Sequence, residues 1–539
     1  MGAWKAILKL RGRPPGQPWP AAEQRLCAPE DLRRENERLR KENQRLRERV
    51  AESDKQIADR DRQIADHDRQ IADHDRQIAD QEKQIADQKK QIADLERQLA
   101  GRKKDSTNSS KPPSSDGPAA ARRLKSARCR GRRKPGGQKG HPGSHRALEP
   151  LERVDQVVPV LPADCRHCGQ PLPQQIELAE TRGEVHRYQV TELPPLRAHI
   201  TEYQCHKVAC PHCRRATRAE LPTEVRVSAF GPRLAGLIAY LTVGLRIPRR
   251  GVEQLLATAL SIEISLGSTQ KLVEESSEAL AATCQELERQ LPKEPVLNSD
   301  ETGWRSMGER RWLWALVASS FVFFTVAATR SSKVLVHLLG TVFAGILCSD
   351  RFGAYLKYHK GRAQFCWAHL KRDLLGIQEF ARTTDAERFC RDALALTARL
   401  FRLWHRFRGG GLERTDLILK SIPLQERFFR LCEQHLDSGD NEVRVLATAM
   451  FQHCDRLFAF LEYPGVEPTN NSAERALRHA VIWRKGSFGN QSGNGEVATA
   501  RLLTAARTCV MQRRNALEFL CDSVIRHRAG QPALSLLQP

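Results

Sequence analysis

Three acidic residues stand where an acid is conspicuous. Asp300 closes the apolar run in PVLNSDETGWR and Asp350 closes the one in AGILCSDRFGAY. Glu474 follows an asparagine pair in PTNNSAERALRHAVIWRKGSFGN, among the cations Arg475, Arg478, Arg484 and Lys485. A carboxylate at the end of a buried strand costs folding free energy unless it binds something. Adjacent strands lie about 4.8 Å apart, so Asp300 and Asp350 on neighbouring strands can grip one cation. Mg²⁺, or Mn²⁺ in its place, takes a few carboxylates, waters and substrate phosphate oxygens rather than an all-protein cage. Two such ions about 3.5–4 Å apart stabilise the attacking and leaving oxygens of an in-line displacement. Glu474 is the expected third ligand, and the four cations around it suit a phosphate backbone. A plainer account also exists, since a carboxylate in a first helical turn is favoured by the helix dipole. Glu301, Asp373 and Glu496 are the reserve acids.

A second constellation is sulfur. CRHC at Cys165 and Cys168 and CPHC at Cys210 and Cys213 are two C-x-x-C pairs. They suit a tetrahedral Cys₄ site for structural Zn²⁺ on two knuckles. Alternation in RGEVHRYQV and RAHITEYQC predicts strands that bring the knuckles together. Cys205 is a spare thiol. Thiol–disulfide exchange is the competing use of such pairs.

The elements that must position the acids follow from periodicity. From residue 296 onward the segments PVLNSDETGWR, RWLWALVA, FVFFTVAAT, SSKVLVHLLG, AGILCSDRFGAY and AQFCWAHLKRDLL read as β-β-β-α-β-α-β-α. That order fits a ribonuclease-H-like sheet, with one acid on the first strand, one at the end of the fourth and one on a later helix. His369 and Trp367 follow a strand near the expected site; core packing accounts for Trp367. Between Asp350 and Glu474 the pattern is largely helical, an insertion into the sheet.

Upstream, QIAD recurs every seven residues, with Ile at 57, 64, 71, 78, 85 and 92. Leu32, Leu39 and Leu46 share that register as d positions; Asn36, Asn43 and every repeat Ile then fall at a. This predicts a left-handed coiled coil, and β-branched a positions with buried Asn favour a parallel dimer. The fold class expected is multi-domain α+β. Its parts are a tail at 1–31, a coiled coil at 32–100, a basic disordered linker at 101–150 and a zinc-binding β module at 151–225. A helical domain follows at 226–292, then the core's first part at 293–378 and the helical insertion at 379–466. The Glu-bearing helix occupies 467–512 and a tail 513–539.

Composition fits this division. The chain has 539 residues and a net charge of +23, which points to a polyanionic partner, with nucleic acid ahead of membrane. Residues 101–150 alone hold 14 Lys and Arg against 3 acids, and are too poor in apolar residues to bury a core. Arg130, Arg132, Arg133 and Lys134 are their densest cluster. Trp312 to Ala328 is apolar, but two buried strands explain it better than a membrane span. With no signal peptide legible, the compartment expected is the cytosol.

Together SDETGWR, CSDRFGAY, CWAHLKRD and TNNSAERALR…WRKGSFGN resemble the insertion sequence 66 family of bacterial transposases. NSSKPPSSD, RRKPGGQKGHPG and the order of parts agree as well, over about residues 32 to 525; the long QIAD array departs from the pattern. The resemblance implies a Mg²⁺-dependent Asp-Asp-Glu nuclease and strand transferase of ribonuclease-H fold. Its catalytic carboxylates fall on Asp300, Asp350 and Glu474. The implied partners are DNA, as element ends and target, and accessory proteins of the same element; the implied location is the bacterial nucleoid. The alternative is a non-catalytic, zinc-containing DNA-binding regulator. For the linker, neutralising Arg130, Arg132, Arg133 and Lys134 together is expected to flatten the dependence of log K on log salt by up to about 4, measured by DNA-binding titrations; an unchanged slope excludes these residues from the DNA.

Overall fold

The computed structural model describes residues 29–103, 140, 146–183, 185–222, 225, 228–358, 361–381 and 383–537. Arg130, Arg132, Arg133 and Lys134 lie outside the described residues. Two units divide after Lys103.

Among the described residues the first unit is one helix, α1 (Pro29–Lys103). Its apolar seam is exposed among the described residues, from 46% at Leu39 to 59% at Ile71. Ion pairs three residues apart, such as Arg69–Asp66 at 3.5 Å and Arg76–Asp73 at 3.3 Å, lace its surface. Exposed pairs of this kind contribute little stability.

In the second unit, residues 146–222 carry two short strands, β1 (Lys207–Ala209) and β2 (Ala216–Arg218), paired antiparallel around the second C-x-x-C. The stretches 182–190 and 197–205, which alternate in sequence, form no strand among the described residues. Their apolar members Tyr188, Val190 and Ile200 are exposed, with no covering layer to select a strand face.

The main body is mixed α+β. Four helices, α2 (Pro232–Ala239), α3 (Arg249–Leu260), α4 (Leu266–Ala279) and α5 (Ala281–Gln290), precede the sheet. The sheet comprises β3 (Val296–Ser306), β4 (Glu309–Val317), β5 (Val322–Ala327), β6 (Ile346–Ser349) and β7 (Ala363–Phe365), in the order β5-β4-β3-β6-β7. β3, β4 and β5 run antiparallel, while β6 and β7 are parallel to β3. Helices α6 (Ser332–Leu339) and α7 (Gly353–Tyr358) flank β6. Then come α8 (Trp367–Phe380), α9 (Thr384–Arg408), α10 (Arg414–Glu433), α11 (Asn441–Gln452) and α12 (Asp455–Glu462). The chain closes with α13 (Asn471–Ser487), α14 (Gly493–Met511) and α15 (Ala516–Arg528).

Two apolar cores hold this body. One joins α2–α5, the β3–β5 hairpins and α13–α15. The other joins β6, β7 and α8–α12. Trp367 anchors the second: it meets Phe428 and Phe458 edge-on at 5.4 Å, and its indole N–H donates to Leu457 O at 2.6 Å. Residues 513–537, expected as a tail, are instead part of the first core. The signal lay in ALEFLCDSV, where Ala516, Phe519, Leu520, Ser523 and Val524 recur at helical spacing and are all buried. The guanidinium of Arg528 pairs with both carboxylate oxygens of Glu275, at 2.7 and 2.9 Å. Gly236 of α2 packs so tightly on α15 that a Cβ there would sit 2.7 Å from the Cys521 nitrogen.

At the sheet's β5 edge the backbone is answered by α14. The Val322 and Phe324 amides donate to the hydroxyls of Thr508 and Thr504, and Thr508 Oγ1 donates back to Val322 O. No helix among the described residues is long and apolar enough to cross a membrane.

Candidate active site

β3 and β6 pair in parallel with Val296 opposite Ile346, Leu297 opposite Leu347 and Asn298 opposite Cys348. Extended two residues beyond its last pair, that register sets Asp300, within β3, opposite Asp350, one residue past the end of β6, and the even count puts both on the same face. Apolar runs on each side force the register; Leu297, Leu347 and Cys348 are buried. Each acid takes one backbone donor: Glu301 N–H to Asp300 Oδ1 at 3.0 Å and Phe352 N–H to Asp350 Oδ1 at 2.9 Å.

Burial pushes the Asp300 carboxyl well above the usual range, and the negative charges of Glu301, Asp350 and Glu474 push it further. Asp350 is raised mainly by burial too, while the Phe352 amide, Arg330 and Arg351 partly offset this. A carboxyl that is desolvated among like charges is stabilised in its ionised form by a cation.

Glu474 comes in on α13, whose course along β3 is held at both ends. Asn470, buried just before the helix, donates its Nδ2–H to Ser299 O at 2.7 Å and its backbone N–H to Cys366 Sγ at 3.2 Å. At the far end Arg484 turns inward, bonding Thr302 Oγ1 at 3.2 Å and Gly303 O. Glu474 therefore lies one turn from the Ser299 staple. The Arg372 guanidinium reaches its Oε1 at 3.2 Å, and His369 Nδ1 lies 3.6 Å away. Burial first, then Arg372 and Arg351, hold the His369 imidazole down to about 3, so the ring is neutral at physiological pH.

The four cations after the asparagine pair are not alike. Arg475, Arg478 and Lys485 are exposed and share one stripe of α13, at spacings of three or four residues counted through Ile482. Arg484 lies off that stripe and serves as the inward staple described above.

The reserve acids have partners. Glu301 accepts from Arg330 Nε at 2.6 Å and from the Tyr355 hydroxyl. Asp373 pairs with Arg351, and Glu496, on α14, with Arg311 at 3.5 Å. Among the described residues, one group of three or more side chains brings potential ligand atoms within 4.8 Å of one another: Cys366, His369 and Glu474. The three proposed carboxylates are thus in electrostatic reach of one another without forming so tight a group. The paired Asp register and the unneutralised charge at Asp300 fit a divalent cation; Glu474, still bonded to Arg372, would have to exchange that partner to join them.

The two sulfur pairs sit on separate turns of matching form. Gly169 N–H bonds Cys165 O at 2.8 Å and Arg214 N–H bonds Cys210 O at 2.9 Å. The amides of His167 and Cys168 hold the Cys165 thiol below its ordinary value, and those of Cys213 and His212 do the same for Cys210. Amides converging on a sulfur favour the thiolate that a metal needs. The four thiols are not gathered into one group.

Sequence reasoning missed Asn470, Arg372 and Cys366 as organisers of Glu474. For Asn470 the signal was an amide side chain directly before a helix start; for the other two, the contacts are non-local and left no local mark.

Residues 227–498, which contain all three acids and the whole β3–β7 sheet, match the Transposase IS66 family. The chain belongs to the IS66 transposase family. It is thus a transposase of an insertion sequence, an enzyme acting on DNA. Residues 19–147 match a second family, of unknown function (DUF6444). The transposase is also similar to two uncharacterized proteins of Sinorhizobium fredii. For y4qI the identity is 25% over 423 residues, covering 71% of this chain and 74% of the relative. For y4hP it is 23% over 424 residues, covering 72% and 74%.

The raised Asp300 carboxyl has a thermodynamic consequence. Its folded value lies above its unfolded value, so the unfolded chain binds fewer protons in between. Stability in chelator therefore falls as pH rises from about 4 through that window. Asp300→Asn is expected to raise the melting temperature at pH 7 in chelator and to leave it nearly unchanged at pH 4, read by thermal melts at both values. A lower melting temperature at pH 7 would refute the charge-crowded site.

Proposed function

We propose that this IS66 transposase cleaves DNA at the element's terminal repeats and joins the freed 3′-OH to target DNA, using Asp300, Asp350 and Glu474 as the ligands of Mg²⁺ or Mn²⁺. The observation that carries the reading is the pair of desolvated carboxylates on β3 and just past β6, with no cation set against Asp300 and only Arg330 and Arg351 partly offsetting Asp350, and Glu474 brought alongside by a doubly stapled helix. The strand order β5-β4-β3-β6-β7, three antiparallel strands beside two parallel ones, supports a ribonuclease-H-like core.

Bound divalent ions supply activation of the attacking oxygen and neutralisation of charge at the scissile phosphate. The chain's own residues do the rest. Asp300 and Asp350 present their oxygens on one face, with spare acceptors for ions after each has taken one backbone N–H. Arg372 holds the Glu474 carboxylate until it is needed. His369, kept neutral, adds no competing positive charge beside it. Arg475, Arg478 and Lys485 line an exposed track suited to a DNA backbone, while Arg484 keeps that track against β3. Arg130, Arg132, Arg133 and Lys134 would add phosphate contacts from the linker.

Dimerisation through the apolar seam of α1, as a coiled coil, would bring two element ends together. Zn²⁺ on Cys165, Cys168, Cys210 and Cys213 would be structural, since four thiolates leave no open position. Accessory proteins of the same element and an intracellular, nucleoid-associated site of action complete the reading.

The deciding experiment is a Mg²⁺-dependent cleavage and joining assay on the element's ends. Asp300→Ala, Asp350→Ala and Glu474→Ala are each expected to lose at least about a hundredfold in joining while still binding DNA. An Asp350→Ala protein that joins as well as wild type would sink the catalytic assignment and leave a DNA-binding regulator. For the sulfur site, metal analysis should find about one Zn²⁺ per chain in the wild type and none in the Cys165→Ser, Cys210→Ser double variant; stoichiometric zinc in the double variant would reject the site.

A further inference from the structure

Beyond the acids, α13 ends in an anomaly. Its closing residue Phe488 has φ 59° and ψ 11°, the left-handed conformation, where glycine or asparagine is the usual choice. A bulky aromatic residue there is strained. Burial does not explain it, because Phe488 is 79% exposed. The next residue, Gly489 at φ 100°, lies so close to β3 that a Cβ would sit 2.1 Å from Arg305 O, so the chain has no freedom to relax around it.

A second anomaly adjoins the first. The β3–β4 hairpin turns through Met307 (φ 50°) and Gly308 (φ 80°), a two-residue turn whose first position favours Asn, Asp or Gly. Here it holds an apolar residue that is 52% exposed. The Met307 N–H donates to Asn490 O at 2.8 Å and the Asn490 N–H to Arg305 O at 2.9 Å, so the two tips are bound together. Trp304 Nε1–H locks the junction on Asn490 Oδ1. Arg305 and Arg310, facing each other across the hairpin, are exposed beside them.

Strained backbone that presents apolar side chains to water on a rigid base is what a functional site retains against stability. Its chemistry is set by its neighbours. The exposed stripe of Arg475, Arg478 and Lys485 runs from beside Glu474 to Phe488. Fourteen residues of helix span about 21 Å, or about six base-pair steps of 3.4 Å.

We propose that Phe488, with Met307 beside it, is an apolar wedge that enters the base stack of DNA held along α13, unstacking a base step about six pairs from the scissile phosphate. Every base offers a π-face for stacking, and apolar wedges of this kind open base steps elsewhere. The proposal rests on the transposase reading, which supplies the DNA.

The test uses the full chain and duplexes of the element's terminal sequence, each with one 2-aminopurine, bound in Ca²⁺ so that the strands stay uncut. Wild type is expected to raise the emission severalfold at one position about six pairs from the cut. Phe488→Ala and Phe488→Gly should bind DNA yet lose that signal, and Phe488→Tyr should keep it. Phe488→Gly should also raise the melting temperature, since glycine relieves the left-handed strain. Full signal in Phe488→Ala, or a wild type that cleaves DNA but unstacks no position, overturns the wedge. A wild type that neither binds nor cleaves the ends overturns the transposase reading, and the wedge with it.

Discussion

The structure turns on negative charge placed where water is scarce. Asp300, within β3, and Asp350, just past the end of the adjacent parallel strand β6, lie in electrostatic reach of one another, and burial there disfavours ionisation of both. Nothing in apolar packing calls for this arrangement. The register that produces it is dictated by Leu297, Leu347 and Cys348, whose burial leaves one alignment for β3 and β6. A slip of one residue would turn one acid to the opposite face and separate the pair.

The surrounding frame can be understood as what keeps that charge in position. Glu301, the next acid along β3, is paired with Arg330 and accepts a hydrogen bond from the Tyr355 hydroxyl. Arg330 in turn stacks on Phe352, two residues after Asp350. On the other side, the Trp367 anchor fixes the start of α8, from which His369 and Arg372 reach Glu474. Asn470 then binds the start of α13 to β3 and to Cys366 at once. The second core, built by the helices between residues 367 and 462, thus supports the acid that follows it in the chain.

Much of the body was legible from periodicity. The strand that ends beside Asp350, the helical stretch after Trp367 and the helix bearing Glu474 stand where the residue pattern predicts them, whereas β3 does not end at Asp300 but runs on to Ser306, because its pairing with β4 continues through the hairpin. The stripe on α13 could also have been separated from Arg484 by counting, since 475, 478, 482 and 485 share a face and 484 does not. Other features left no local trace. The convergence of Cys366, His369 and Glu474 joins residues about a hundred positions apart. The alternation between the sulfur pairs is a strand signal that found no layer to pack on, and the left-handed Phe488 runs against propensity altogether.

The threonine hydroxyls along β5 carry one more implication. A bare outer strand invites recruitment of another chain's strand, the route to runaway polymerisation. Thr504 and Thr508 occupy the amides that such a newcomer would need. Strand addition along that margin is thereby opposed at two of its amides, so the helix that covers the sheet also guards its outer strand.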